Sequence, residues 1–348
     1  MSVALDFDAE KLCAFLIAEF GASDHYQIDR IAGGQSNPTY FVKWGDQRMV
    51  LRKQPNGPIL RGAHAVDREY RVQSALYPTG VPIARPILFC EDTDVVGTPF
   101  YLMERVVGRV FSDCALPEAE KSQRCDLWMG LADAMAAMHA VRPDEVGLND
   151  YGKPGNYFER QISRWSRQWA DSPHEPIPEL DRLNAWLVTN LPPDDGAVSL
   201  AHGDFRMGNV IFDPTEPRVA AILDWELSTL GHPLADLGFC ALAWHLSPDE
   251  YGGILGLDHE ALGLPSEEEF VARYMASNPS AGPLTTFHKA FALFRFSVIW
   301  VGIADRVRAG TAAGADATRH GDMARKLARR GVEVIEGRHS ISGRPTLA

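Results

Sequence analysis

Between His202 and Asp224 the chain sets two short apolar runs on either side of a proline-bounded turn, with acidic and amide side chains at the outer ends. Val210-Ile211-Phe212 and Val219-Ala220-Ala221-Ile222-Leu223 have the length and apolar content of strands, and Pro214-Thr215-Glu216-Pro217 separates them as a turn. A hairpin of that size is expected to bring Asn209, just before its first strand, beside Asp224, just after its second. Asp204 lies on the loop that leads to Asn209. Two carboxylates and an amide offer only oxygen donors, a set that suits Mg²⁺ better than zinc. A lone Asp is most often a turn or cap residue, so the weight rests on the ordered set and not on any one member.

Upstream, Asp8 is placed to cap a helix whose Leu12, Phe15, Leu16 and Phe20 share a face, with Gly21 at its end. Gly33-Gly34-Gln35-Ser36-Asn37-Pro38 then separates two strand-like runs, Ile28 to Ala32 and Thr39 to Trp44. Glycine has no Cβ to keep a phosphate away from backbone N–H groups, so this turn is a candidate cradle, although it is neither a Walker A nor a Gly-x-Gly-x-x-Gly sequence. A third strand, Arg48 to Lys53, ends in two cations, Arg52 and Lys53, which alternation sends to opposite faces. A helix from Ala65 to Leu76 carries Glu69, and strands follow at Ile87 to Glu91 and Pro99 to Arg105.

From Pro117 to Ala140, Leu127, Leu131, Met135 and Met138 recur at helical spacing, the mark of a core stripe. Residues 141 to 197 hold two more helical segments, and the remainder to about residue 336 reads as helix, with Asp236 opening an apolar helix from Leu237 to Leu246.

Composition narrows the functional classes. A formal charge of −12, from 34 basic and 46 acidic residues in 348, argues against a nucleic-acid partner, which requires a basic face. Five cysteines without a Cys-x-x-Cys pair fit thiols in a reducing compartment. His202, His232, His245 and His259 match no zinc spacing. The N-terminus has no signal-peptide core, and the most apolar stretch, Phe287 to Ala304, contains Lys289 and Arg295 and reads as a buried helix, not a membrane span. A cytoplasmic location without a membrane partner is the expectation.

His202-Gly203-Asp204-x4-Asn209, followed by Ile222-Leu223-Asp224-Trp225-Glu226, resembles the aminoglycoside and choline phosphotransferase family, which has a protein-kinase-like fold. The longer run from Ile222 to Gly238 is similar to the branch related to kinase-like domains fused to acyl-CoA dehydrogenases, and the resemblance extends from Gly33 to about Trp300. It implies an α+β, two-lobed architecture: a small antiparallel-sheet N-lobe over residues 1–106 that binds the nucleotide, and a larger, mostly helical C-lobe over residues 107–348. ATP and Mg²⁺ are then expected in the cleft. Asp204 takes the role of catalytic base, with Asn209 and Asp224 as metal ligands. Arg52 stands where kinases usually carry lysine, paired with Glu69, and Lys53 is the second candidate. Gly33, Gly34, Gln35, Ser36 and Asn37 would cradle phosphate. Met103, Glu104 and Val106 would form the adenine hinge.

The same resemblance implies a small hydroxylated acceptor. Trp225-Glu226 and a short run to His232-Pro233 leave no room for an activation loop regulated by phosphorylation. A hydroxyacyl acceptor, free or CoA-linked, competes with an aminoglycoside or choline, and a nucleotide-binding pseudokinase or a metal-dependent hydrolase is the alternative of another class. Between Asp305 and Arg338 eight basic residues face five acidic ones, which is expected to favour an anionic acceptor.

Overall fold

Side-chain alternation along three successive strands organises the first of two compact units, Met1–Gly108 with Ala220–Ser228. The computed structural model describes residues 5–31, 37–57, 64–153, 155–310 and 317–338. Helix α1 (Ala9–Phe20) begins where Asp8 Oδ1 accepts from Glu10 N–H at 2.9 Å, and ends at Gly21, whose φ of 82° a side chain would strain. Strands β1 (Tyr26–Arg30), β2 (Thr39–Trp44) and β3 (Gln47–Lys53) precede α2 (Val66–Leu76); β4 (Pro86–Cys90), α3 (Thr93–Val96) and β5 (Phe100–Glu104) complete the run. All five strands pair antiparallel in the order β1-β2-β3-β5-β4.

The two faces of this sheet bury different sets. Met49 and Leu51 of β3 pack with Leu12, Leu16, Tyr40, Val42 and Phe100, whereas Val50 packs with Val66, Ala84, Tyr101 and Met103. Arg52 therefore shares its face with Val50, and Lys53 with Leu51. A register slip of one residue would exchange the two cations.

The second unit comprises Arg109–Val219 and Thr229–Ala348. It contains α4 (Lys121–Ala140), α5 (Tyr157–Ala170), α6 (Pro178–Thr189), β6 (Ser199–Ala201) and β7 (Val210–Phe212). Strand β8 (Val219–Ile222) carries the chain back to the first unit, and β9 (Thr229–Gly231) returns it. Helices α7 (Pro233–Cys240), α8 (His259–Leu262), α9 (Glu267–Ser277), α10 (Thr286–Arg308) and α11 (Ala317–Ile335) follow. Strands β6 and β9 pair antiparallel, Ser199 opposite Gly231.

The apolar run from Phe287 is the centre of α10, with Phe291, Leu293, Phe294, Val298 and Val301 buried. A Cβ on Gly238 would lie 2.9 Å from His288 O, so glycine there permits the close crossing of α7 and α10. Among the described residues no helix is long and apolar enough to cross a membrane.

Two elements start elsewhere than expected. Helix α4 begins at Lys121, not Pro117. Helix α7 begins at Pro233, capped by His232, whose Nδ1 accepts from Leu234 N–H at 3.2 Å. Proline fits a first helical turn because its missing N–H is not needed there. Asp236 thus lies in the first turn rather than ahead of the helix, and the helix gives way after Cys240 to a tighter 3₁₀ segment, Ala241–His245.

Candidate active site

In the first unit the charged groups gather around Arg52. Its Nε lies 2.7 Å from Glu69 Oε2 and its Nη2 lies 2.7 Å from Asp224 Oδ1, with Glu226 Oε2 at 3.8 Å. Glu69 is buried on α2. Its Oε1 accepts from Asn37 Nδ2 at 2.6 Å and its Oε2 from the Tyr101 hydroxyl at 3.0 Å. Gln73 Nε2 in turn donates to that hydroxyl at 3.1 Å. Register explains the gathering, because Tyr101 on β5 stands opposite Arg52 on β3. Burial works against the Arg52 charge, but Glu69, Tyr101, Asp224 and Glu226 outweigh it and raise the guanidinium's pKa. Burial also pushes the Glu69 carboxyl above the usual range, only partly opposed by Arg52. Asp224 adopts a left-handed backbone (φ 62°), a conformation that Asp tolerates better than most residues, and its side chain remains 36% exposed.

Lys53 is on the other face. Its buried ammonium donates to Asn56 Oδ1 at 2.9 Å and to Asp6 Oδ1 at 3.3 Å.

In the second unit the loop after β6 is held by one pairing within itself and by Asp236 and Arg295 from helices further along the chain. Asn209 Nδ2 donates to Asp204 Oδ2 at 2.7 Å and to Asp204 O at 2.8 Å, which leaves its carbonyl oxygen as an acceptor. Asp236 on α7 accepts the N–H of His202 at 2.6 Å and of Gly203 at 2.8 Å. His139 Nε2 approaches Asp236 Oδ2 at 3.2 Å, and the Tyr274 hydroxyl approaches His139 Nδ1 at 2.7 Å. Arg295, buried on α10, donates to Gly203 O at 2.5 Å. Burial opposes the Asp236 charge, yet the bond from His139, the charges of His139 and His202 and the Gly203 N–H hold its carboxyl below the usual range. Asp204 is the reverse: burial outweighs Arg206, His202, Arg295 and Asn209 and raises its pKa. Its side chain is 27% exposed, with Arg206 Nε 3.6 Å from Oδ1.

The expected residues thus fall into two sets, Arg52, Glu69, Asn37 and Asp224 in one and Asp204 and Asn209 in the other. Asn37 was expected to face phosphate, but its side chain is buried between Glu69 and His64. Met103 is buried, and Val106 packs against the same apolar cluster. Glu104 donates its N–H to Arg85 O at 2.8 Å. Gly33, Gly34, Gln35 and Ser36 lie outside the described residues. On the basic helix Arg325 meets Glu175 at 3.2 Å, Lys326 meets Asp249 at 2.7 Å, and Arg330 meets Glu250 at 2.7 Å. Its excess charge is answered by acids distant in sequence. Glu226, Tyr101, His139 and Arg295 were missed as partners, because only tertiary register brings them in.

Among the described residues no three His, Cys, Asp or Glu side chains could hold a metal on their own. That fits Mg²⁺, which is usually held by one or two carboxylates together with water and substrate phosphate. Asp224 in the first unit offers a partly exposed carboxylate and Asn209 in the second an amide carbonyl, each a hard oxygen donor.

The phosphotransferase enzyme family (APH) matches residues 27–272. A putative aminoglycoside phosphotransferase from Ralstonia eutropha JMP134 is 42% identical, with a TM-score of 0.85, over 95% of this chain and 99% of its own. An aminoglycoside phosphotransferase, APH(4)-Ia, solved with AMP-PNP and hygromycin B, shares the fold at 17% identity, with a TM-score of 0.60, over 93% of this chain and 99% of that one. Acyl-CoA dehydrogenase family member 11 is 40% identical in Gallus gallus over 88% of this chain, and 37% identical in Homo sapiens over 94%. The chain spans only 40% and 43% of those two relatives.

Proposed function

Because the chain belongs to the phosphotransferase enzyme family, and so transfers phosphate to a hydroxyl group, we propose that it is an ATP-dependent kinase of a small hydroxyacyl substrate, CoA-linked or free. The observation that carries the kinase reading is the Asp204–Asn209 pair on a loop whose amides Asp236 holds. In this reading Asp204 orients the acceptor hydroxyl and accepts its proton, and a carboxylate whose pKa burial raises is a better base near neutral pH than an ordinary one. Arg52, oriented by Glu69, neutralises nucleotide phosphate, and Met103, Glu104 and Val106 receive adenine. Asp224 within the first unit offers a carboxylate oxygen suited to Mg²⁺, and Asn209 within the second offers an amide oxygen of the same hard character. The ion, when bound, spreads the charge of the transferring phosphoryl group.

The acceptor class rests on what lies beside Asp204. Arg206 and Met207 line a narrow slot walled by Phe239, Leu246, Tyr251 and Phe296. A polycationic aminoglycoside would meet the Arg206 cation 3.6 Å from Asp204, whereas an anionic acyl substrate would be attracted to it; the slot itself, at about 40 Å³, is too small to take an acyl chain. The acyl-CoA dehydrogenase names of the relatives point the same way.

The test incubates the chain with Mg-ATP and hydroxyacyl-CoAs, free hydroxy acids, aminoglycosides and choline, and reads the product by mass. One added phosphoryl group on a hydroxyacyl compound is expected. Transfer to an aminoglycoside or to choline would replace the acceptor assignment. ATP binding without transfer to any acceptor would favour a pseudokinase.

A further inference from the structure

Away from Asp204, the second unit contains a cavity of about 530 Å³, within the range of roughly 300–1,000 Å³ common for small-molecule sites. The first turns of three helices line it: Asn156 and Tyr157 of α5, His232 and Leu234 of α7, and Thr285 and His288 of α10. Helix N-termini carry partial positive charge and favour anions. That alone would not make a site.

The second observation is His288. The residue is 6% exposed and lines the cavity. Its Nδ1 accepts from the Thr285 backbone N–H at 3.1 Å, so in the neutral ring the proton is on Nε2. Burial, aided by the neighbouring His232, pushes its pKa down to about 4, which keeps the ring neutral. The Nε2–H is thus a donor without a partner among the described residues, on a ring that lines the cavity, stacks on His232 at 6.0 Å and lies 5.3 Å from Phe158.

We propose that this cavity binds the carboxylate of a small organic acid, on the three helix N-termini and the His288 Nε2–H, at a site separate from the Asp204 centre. Lys153 and Arg160 line it and add positive charge. Asp194 and Asp195 also line it, although His232 Nε2 meets Asp195 Oδ2 at 3.2 Å and the Gly196 N–H donates to Asp194 Oδ1 at 3.1 Å. Those acids disfavour a doubly charged phosphate more than a singly charged carboxylate. Phe158, Leu230 and Pro283 offer an apolar wall to the rest of the acid.

Titration calorimetry of the full chain without nucleotide tests this, with hexanoate, uncharged hexanamide and inorganic phosphate as probes. Hexanoate is expected to bind at least roughly tenfold more tightly than hexanamide, the difference a hydrogen bond to a charged group gives. His288→Phe removes the donor. Val198→Trp, at a position 62% exposed on the cavity wall, blocks the space without touching the Thr285 cap. Each should weaken hexanoate roughly tenfold or more, while Asp204→Asn leaves it unchanged. Equal binding of hexanamide, full affinity in Val198→Trp, loss of binding in Asp204→Asn, or phosphate binding in preference to hexanoate would each overturn the proposal.

Discussion

Around Arg52 the first unit compensates charge with charge, through partners as distant along the chain as Asp224 and Glu226. Around Asp204 the second unit uses mainly hydrogen bonds: an amide five residues on, and Asp236 spent on two backbone N–H groups. The outcome differs accordingly. Arg52 is locked as a cation, whereas Asp204 is left under-compensated, with its pKa raised. A phosphate-binding cation benefits from being permanently charged, and a base benefits from being reluctant to ionise.

Asp204→Asn is the strongest way to break this comparison. Loss of a positioned base should lower kcat by roughly 10²- to 10⁴-fold and leave the ATP dissociation constant unchanged by calorimetry. Because the folded pKa of Asp204 lies above its unfolded value, the protonated form is the one the fold favours, and ionisation at neutral pH costs stability. The variant should therefore melt no lower than wild type. The raised pKa also places the acid limb of wild-type kcat/KM above the range of an ordinary aspartate. Wild-type turnover in the variant would remove Asp204 from the chemistry.

Asp236→Asn comes next. Asparagine retains one acceptor oxygen where aspartate offers two, so a buried loop N–H loses its partner, at a cost of about 1–3 kcal/mol. The depressed pKa of Asp236 means that its contribution is present above the ordinary carboxylate value and is lost as pH falls through the folded one. Urea unfolding should thus give a constant gap from wild type between pH 5 and 8 that narrows in acid below about 3.8. A gap that widens in acid would contradict the assignment.

Paired substitutions on β3 sharpen the comparison. Arg52→Met should weaken ATP by roughly ten- to a hundredfold, the loss of a charge-assisted contact. Lys53→Met should change stability through Asp6 and Asn56 and leave ATP affinity intact. Equal losses of ATP affinity would mean that strand alternation does not decide which cation serves the nucleotide.

The legible parts of the site were those with short sequence range. The spacing of Asp204 and Asn209, the helix caps at Asp8 and Gly21, and the strands and helices surrounding them are set by residues within a turn or two of one another. Two cations at the end of β3 were visible, but which of them meets Glu69 depends on which sheet face α2 covers. Tyr101 and Glu226 reach Arg52 and Glu69 only through strand pairing and the return of residues 220–228, and His139 finds Tyr274 across 135 residues. No local pattern encodes those meetings.

The smallest expected effect concerns the surface of α11, where acids distant in sequence pair with the basic residues. Arg325 is paired with Glu175, which is 86% exposed, and donates to Pro176 O at 3.1 Å. Arg329 is exposed on the same helix. An exposed pair of this kind contributes about 0–1 kcal/mol and is screened by salt. Because acids answer Arg325, Lys326 and Arg330, the helix projects little net positive potential for an acceptor to sense. Reversing Arg325 and Arg329 to Glu should therefore leave the acceptor KM unchanged even at low ionic strength and lower the melting temperature only slightly. A KM that rises at low salt and recovers at high salt would restore the electrostatic role of α11. It would also show that ion pairing on this helix leaves enough field to steer a substrate.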